Sequence, residues 1–338
     1  MRIVIDLAAS KDALKAAFAA APKRETMPVL SHVRLQASDA GITIAATDLE
    51  ARVVARLAGE VRAGGTALVH AARPQSLLRG GRAELVLEDK VVVLTGDALS
   101  ARLATLPAGD FPPDPDDAGF EPLDISADDI LDCASFVSTE EARHYLCGVC
   151  VDGEHTVATD GHRAIAIEGG GGARQIVPGK MLPLLAQLDA PQLALRERAW
   201  RAAAGPITVT GQLIDGTFPD WQRVMPRIET TAVVDPDKLK AAADAVSGLA
   251  SDRSRAMRIE IAEGRATVTV RNGETNEEAS ASFAAEGDLR LVGVNGKYLL
   301  SACAAFAGAP MRMGQSGESD PIFFAAGRRR VCVMPMRL

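Results

Sequence analysis

Hydrophobic and polar positions along the chain switch between two periods, and the same succession of switches recurs in each third. Alternation with period two marks half-buried strands at His32-Val-Arg-Leu-Gln-Ala and Ile42-Thr-Ile-Ala-Ala. Leu14 and Phe18, four residues apart, mark the inner face of a helix whose Lys11 and Lys15 lie on another face. Each third opens with a short strand and a capped helix: Ser10 ahead of Leu14 and Phe18, Ser126 ahead of Ile130 and Ala134, Asp235-Pro236 ahead of Leu239 and Ala243. A Ser or Asp cap satisfies free N–H groups of the first turn, and Pro at the first helical position removes one. A second helix with a basic head is predicted at Arg73-Pro-Gln-Ser-Leu-Leu, Lys180-Met-Leu-Pro-Leu-Leu and Lys297-Tyr-Leu-Leu.

Ahead of each of these second helices runs a strand that ends in a short polar turn: Ile44-Ala-Ala-Thr-Asp48, Thr156-Val-Ala-Thr-Asp160 and Val268-Thr-Val-Arg-Asn272. Aligning Asp48, Asp160 and Asn272 gives 160 − 48 = 112 and 272 − 160 = 112. That period is the size of a small domain and too long for a solenoid repeat. Closing phrases keep the same order, with Asp110-Phe111-Pro112 echoed by Thr217-Phe218-Pro219, and Val224-Met225-Pro226 echoed by Val333-Met334-Pro335. The pattern predicts three repeated domains of mixed helix and strand, spanning residues 1–118, 119–229 and 230–338. Pro112-Pro113-Asp114-Pro115 reads as the first linker.

Hydrophobic residues make up 47% of the 338 and charged ones 24%, an ordinary balance for a globular protein. No apolar run reaches the 18 residues a membrane helix needs, and Met1-Arg-Ile-Val-Ile-Asp6 is too short for a signal peptide. A cytoplasmic location without a membrane partner is the expectation. A net charge of −7 speaks against simple non-specific affinity for phosphate. The acids, however, crowd turns such as Asp114 to Asp117 and Glu274 to Glu278. Lys11, Lys15, Lys23, Arg24, Arg73, Arg79, Lys180, Lys238, Lys240 and Lys297 sit on or beside predicted helices. Solvated helix faces would explain this as a bland alternative; recurrence in three repeats favours a shared positive surface.

Little in the chain points to catalysis. Cys147-Gly-Val-Cys150 has metal-site spacing, but in a predicted strand from Tyr145 to Val151 residues three apart point to opposite faces. No second Cys pair or His pair completes a site. The cysteines read as core residues, with no metal and no cofactor expected. Gly169 to Gly172 lacks the following Lys-Ser or Lys-Thr of a phosphate cradle and reads as a hairpin loop. Asp160-Gly161-His162 places an acid near a base, yet no nucleophile or third group accompanies them. Thr-Asp-Gly is equally a turn, with Asp capping and Gly free to take positive φ. The apolar C-terminus, Met334, Pro335, Met336 and Leu338, either finishes the core or lines a contact surface, where Met adapts to varied partners.

Met27-Pro-Val-Leu-Ser31, Ala46-Thr-Asp-Leu-Glu50, Thr105-Leu-Pro-Ala-Gly-Asp-Phe-Pro112, Val157-Ala-Thr-Asp-Gly-His-Arg163, Gly216-Thr-Phe-Pro-Asp220 and Met334-Pro-Met-Arg-Leu338 occur in an order that resembles the bacterial DNA sliding clamps, the beta subunit of DNA polymerase III. The resemblance covers all three thirds. It implies an α+β fold with helices on one side of antiparallel sheets, and a head-to-tail homodimer closing a ring around double-stranded DNA of any sequence. It implies a non-catalytic processivity factor, with the polymerase III alpha subunit, the clamp loader, other polymerases and repair proteins docking through short peptides.

Residue by residue, the resemblance assigns DNA contact to Arg24, Arg73, Arg79, Tyr145 and Lys180. It assigns a partner-peptide groove to Leu146, Thr159, Gly161, His162, Arg163, Pro219, Arg223, Val224, Val333, Met334, Pro335, Met336 and Arg337. The dimer interface falls on Ala101, Leu103, Ser282 and Phe283, few of them bulky, which implies a weak dimer. Glu140 stands in a loop where clamps carry basic or aromatic DNA contacts and would repel phosphate. Ala164, where clamps have a larger apolar residue, implies a wider groove. A second reading remains: a divergent clamp-like peptide-binding scaffold for repair or mobile-element replication that closes a ring weakly or not at all.

Overall fold

The structure, a computed structural model, describes all residues except 23–25, 73–77, 79, 98, 117, 171–173, 226–230, 251–254, 318 and 337–338, together with the side chain of Leu291. The chain forms two compact units: residues 1–127 with 180–213, and residues 128–179 with 214–338.

The first unit is built on an antiparallel sheet of 13 strands. One end runs Glu121–Leu123, Gln192–Arg196, Ala199–Ala204, Ile207–Gln212, and the sheet continues through Ala51–Leu57, Gly41–Thr47 and His32–Ser38. The alternation seen in sequence is the alternation of burial: Ile42 and Ile44 point inward and are buried, while Gly41 and Thr43 are half-exposed. Helix Lys11–Ala20 lies on strands Ala51–Leu57 and Gly41–Thr47. It buries Leu14, Phe18 and three alanines whose small side chains let the helix approach closely. Burying each of the two large side chains contributes about 1.5–3 kcal/mol, and Lys11 and Lys15 are left exposed as the period predicts.

The second unit holds a nine-stranded sheet and a four-stranded one. In the larger, Gln175–Pro178, Gly148–Asp152, His155–Thr159 and Arg163–Glu168 are followed by Arg329–Val333, Ile322–Ala326 and Met311–Gly314. The smaller is Glu278–Ala284, Arg265–Arg271, Ala256–Ala262 and Leu289–Asn295. Helices Pro236–Val246 and Gly296–Ala305 pack on each other, the first also against strands Arg265–Arg271 and Glu278–Ala284.

Both large sheets carry strands from far apart in the chain. Ala51–Leu57 pairs with Ile207–Gln212, and Arg163–Glu168 pairs with Arg329–Val333. Each pairing joins a strand following one polar turn to a strand late in the next third, so the compact units do not follow the 112-residue period.

Three local expectations change. Ser10 stands at the N-cap position, but its hydroxyl accepts from Ala58 N at 3.0 Å and does not cap the helix. Asp235 does cap, accepting from Asp237 N and Lys238 N at 3.0 and 3.2 Å, with Pro236 behind it. The strand expected from Tyr145 starts only at Gly148, because Glu141–Leu146 winds as a 3-10 segment. The basic-headed helix at 180 is a 3-10 turn, Gly179–Met181, followed by the single helical turn Leu182–Leu185. The one near 73 lies outside the described residues.

Candidate functional site

The polar turn that recurs every 112 residues is the same hydrogen-bonded object in the first two thirds. Thr47 Oγ1 donates to Ala51 O at 2.6 Å and accepts from Leu49 N at 3.0 Å. Thr159 Oγ1 donates to Arg163 O at 2.7 Å and accepts from Gly161 N at 3.1 Å. Asp48 Oδ1 accepts from Glu50 N and Ala51 N, and Asp160 Oδ1 from His162 N and Arg163 N. Asn272 does this work in the last third, accepting from Glu274 N at 3.0 Å and Thr275 N at 3.3 Å. Asp and Asn favour such turns because the side chain mimics a backbone turn two residues on. Gly161 takes φ 90, the left-handed region open to glycine.

In the second unit this turn sits beside the end of strand Arg329–Val333. Arg163 pairs with Val333, and Met334 N donates to His162 O at 2.8 Å. Arg163 is buried. Its Nε donates to Asp160 Oδ2 at 3.0 Å and its Nη2 to Ser135 O, while the guanidinium lies 5.0 Å from the Phe136 ring centre and 4.8 Å from that of Tyr298. The His162 ring stacks on Tyr298 at 5.9 Å with 14° between planes. Met336 N donates to Gly293 O at 2.8 Å, holding the C-terminal stretch against strand Leu289–Asn295. Met334 is 43% exposed, an apolar side chain held at the surface beside two fixed cationic or aromatic groups.

A second group of the residues that the resemblance assigns to a groove stands on its own apolar support. Phe218 and Trp221 are buried with Leu146, Cys150, Val157, Ala166 and Ile176. Trp221 Nε1 donates to Asp152 Oδ2 at 3.1 Å. On this base Pro219 is exposed and accepts from Arg174 at 3.0 Å, Arg223 pairs with Asp220 at 2.8 Å, and Val224 is 52% exposed. Thus Thr159, Gly161, His162, Arg163, Val333 and Met334 come together around one turn, with Pro335 and Met336 half-buried beyond. Leu146 and Val333 are buried and hold the site from beneath without presenting surface. Arg337 lies outside the described residues. Ala164 is also buried.

Of the residues assigned to DNA, Arg24, Arg73 and Arg79 lie outside the described residues. Tyr145 packs half-buried against the Phe218 cluster, and Lys180 is half-exposed and paired with Glu50. Glu140, expected to repel phosphate, is bound by Arg143, which also donates to Asp160 O at 3.3 Å. Its charge is therefore matched locally. Cys147 and Cys150 are free thiols, and burial pushes that of Cys150 up to about 12, so it stays protonated and unreactive at neutral pH.

The described part of this arrangement combines the buried cation of Arg163, the exposed cation of Arg223, a stacked aromatic pair and exposed Met334 and Val224. Two sequence models of the DNA polymerase III beta subunit match the chain, the N-terminal domain over residues 1–114 and the C-terminal domain over residues 222–332. The beta sliding clamp of Caulobacter vibrioides is 30% identical, over 95% of this chain and 95% of its own length. The chain belongs to the beta sliding clamp family. It is a DNA sliding clamp with the mixed helix and antiparallel-sheet fold of that family. The beta sliding clamp of Pseudomonas putida is 29% identical over 94% of each chain. Among solved structures, the sliding clamp of Bartonella birtlesii bound to griselimycin superimposes with a TM-score of 0.89 at 27% identity, and that of Caulobacter crescentus with 0.89 at 26%, each over 100% of both chains.

Tyr298 and Arg143 also contact this turn, although the sequence did not single them out for it. Tyr298 is one residue past the basic head of helix Gly296–Ala305, and only the packing of that helix brings it to His162 and Arg163. Its sequence signal was present but weak: the chain has only two tyrosines.

Proposed function

We propose that two copies of the chain close head to tail into a ring around double-stranded DNA. In this reading the ring keeps DNA-processing proteins on the template without catalysing a step itself. The observation that carries it is the 30% identity to a beta sliding clamp over 95% of both chains. The repeats 1–118, 119–229 and 230–338 are then the domains of the ring, and the cytoplasm is its place of work.

Two sheet edges support the dimer. Strand Ser100–Leu106 pairs with Val91–Gly96 on one side, and its other edge is engaged only at Thr105 and Leu106 among the described residues. Strand Glu278–Ala284 forms the edge of the four-stranded sheet. Exposed edges offer rows of unpaired N–H and C=O groups to another chain, and a contact between two unlike edges closes into a ring when the rotation permits. Ala101, Ser282 and Phe283 offer surface there. Leu103 is only 6% exposed and serves its own sheet instead.

The DNA reading is supported by exposed Lys11, Lys15 and Lys297 on helices, none with a carboxylate within 4.0 Å among the described residues. Lys238 and Lys240 are exposed but paired with Asp235 and Asp244. Each phosphate neutralised contributes about 0.9 to the salt slope, so a few loose contacts guide DNA without arresting it. The groove around Met334 and Arg163 takes short peptides of the polymerase III alpha subunit, the clamp loader, other polymerases and repair proteins, each burying a few apolar side chains at about 1.5–3 kcal/mol apiece.

Light scattering across a dilution series tests the ring: a mass of twice 35.4 kDa is expected. Loaded protein then stays on nicked circular DNA and is lost when the circle is cut. A monomer at every concentration overturns the ring and leaves the peptide-binding scaffold as the reading.

A further inference from the structure

Three stretches of the second unit carry the same short pattern, an acid three residues ahead of an arginine: Glu140-Glu-Ala-Arg143, Asp160-Gly-His-Arg163 and Asp220-Trp-Gln-Arg223. In each, the acid holds the arginine that follows it. Arg163 Nε donates to Asp160 Oδ2 at 3.0 Å, and Arg223 Nε lies 2.8 Å from Asp220 Oδ2. A further cation, Arg174, lies 3.2 Å from Asp152 and donates to Pro219 O at 3.0 Å. Among the described residues, the formal charges of these arginines and their carboxylates cancel.

The pairs differ in what they leave open. Arg163 is buried and beyond a ligand's reach. Arg223 and Asp220 are both exposed, and a solvated pair of that kind changes little in energy when a third charge arrives. Arg143 is half-exposed and held at several points over the polar turn. Its Nε donates to Glu140 Oε2 at 2.8 Å; its Nη2 donates to the same oxygen and, at 3.3 Å, to Asp160 O. A guanidinium has five N–H groups in a fixed fork, one on Nε and two on each Nη. Glu140 and Asp160 O take the three on Nε and Nη2, so neither edge can grip a further carboxylate through two parallel bonds. Nη1 is left over Gly161, where a Cβ would come within 2.6 Å of it.

We propose that Glu140 sets the charge preference of the groove: by filling the fork of Arg143 it withholds that cation from acidic side chains of a partner peptide. The groove then discriminates among peptides by their apolar side chains and not by their charge. A peptide carboxylate that displaced Glu140 would exchange one acid for another with no net gain. An Arg143 freed of Glu140 would offer its Nε–Nη2 edge and select an acid beside the apolar anchors. This inference rests on the reading of this face as a peptide groove and names the residue that decides which peptides it takes.

The test is fluorescence anisotropy on the full-length protein with three peptides labelled at the N-terminus and amidated. Gln-Leu-Asn-Leu-Phe is the neutral probe; Gln-Leu-Asp-Leu-Phe and Glu-Leu-Asn-Leu-Phe present a carboxylate at one or the other polar position. Wild type is expected to bind all three within about twofold of one another. Glu140→Ala is expected to bind at least one acidic probe about fivefold tighter than the neutral one. Glu141→Ala removes the same charge from the neighbouring exposed position, and Glu140→Ala combined with Arg143→Ala removes the cation; both are expected to keep the wild-type ratios. A wild-type preference for an acidic probe of about fivefold, or ratios unchanged in Glu140→Ala, overturns the inference. So does an equal shift in Glu141→Ala, which reports net charge alone. A neutral probe that fails to bind wild type at about 100 μM, or binds Met334→Ala equally well, overturns the groove reading and this inference with it. A neutral probe that binds and is lost in Met334→Ala, with ratios unmoved by Glu140→Ala, overturns this inference alone.

Discussion

The two linker anchors differ more than the turns they accompany. Phe218 is buried with Trp221 in an all-apolar nest that includes Leu146, Val157 and Ile176. Its counterpart Phe111 sits on Val29, Leu30, Ala45 and Leu68, but the guanidiniums of Arg34 and Arg52 stand over its ring at 5.2 and 5.4 Å, both bound to Asp114. One linker is pinned by hydrophobic burial, the other in part by charge. The backbone scaffold was thus kept while the means of fastening it changed. A linker fastened by apolar burial frees its polar residues, Arg223 among them, for the surface.

The largest expected effect tests that contrast directly. Phe218→Ala deletes a ring that is 1% exposed and is expected to destabilise its unit by about 3–5 kcal/mol. Phe111→Ala is expected at the low end of that range, because Arg34 and Arg52 still reach Asp114 and keep the linker attached. Hydrogen exchange at Val157 and Ala166 reads the first, and at Ala45 and Leu68 the second. Equal losses of protection would mean that the charges contribute nothing to the anchor.

An intermediate effect separates the two buried arginines. Arg163→Met leaves Asp160 Oδ2 and Ser135 O without their donor in a site where Asp160 is only 15% exposed, and about 2–3 kcal/mol is expected. Arg52→Met leaves the carbonyls of Pro112 and Pro113 to water and Asp114, which is 52% exposed, to water and to Arg34, and about 1 kcal/mol is expected. Denaturant midpoints decide the order, and only Arg163→Met is expected to weaken the Gln-Leu-x-Leu-Phe peptide.

What could be read from sequence was what is local in the chain. Thr47-Asp48, Thr159-Asp160 and Asn272 declare their turns because the hydrogen bonds close within a few residues. Asp235 declares its cap for the same reason. Ser10 looked the same and was not, since Ala58, 48 residues away, claims its hydroxyl. Tyr298 escaped notice because a helix in the last third carries it to a turn in the second. A pocket under the first linker was invisible for a related reason: its walls come from residues near 50, 112 and 210, joined only when Ala51–Leu57 pairs with Ile207–Gln212.

The smallest expected effect is that of Leu49→Gly, at the position where the first two turns place different residues at positive φ, Leu49 and Gly161. Gly161→Leu asks a bulky residue to enter the left-handed region, at about 1–2 kcal/mol, and brings a Cβ within 2.6 Å of Arg143 Nη1, a flexible side-chain end that moves aside. Leu49→Gly removes the same strain from the first turn but adds unfolded-state freedom of about 0.5–1 kcal/mol, so a net stabilisation of up to about 1 kcal/mol is expected. Thermal unfolding reads this as a rise in the midpoint of at most about 2–4 °C. A marked fall in the midpoint would mean that packing of the half-exposed Leu49 side chain outweighs the strain of its backbone.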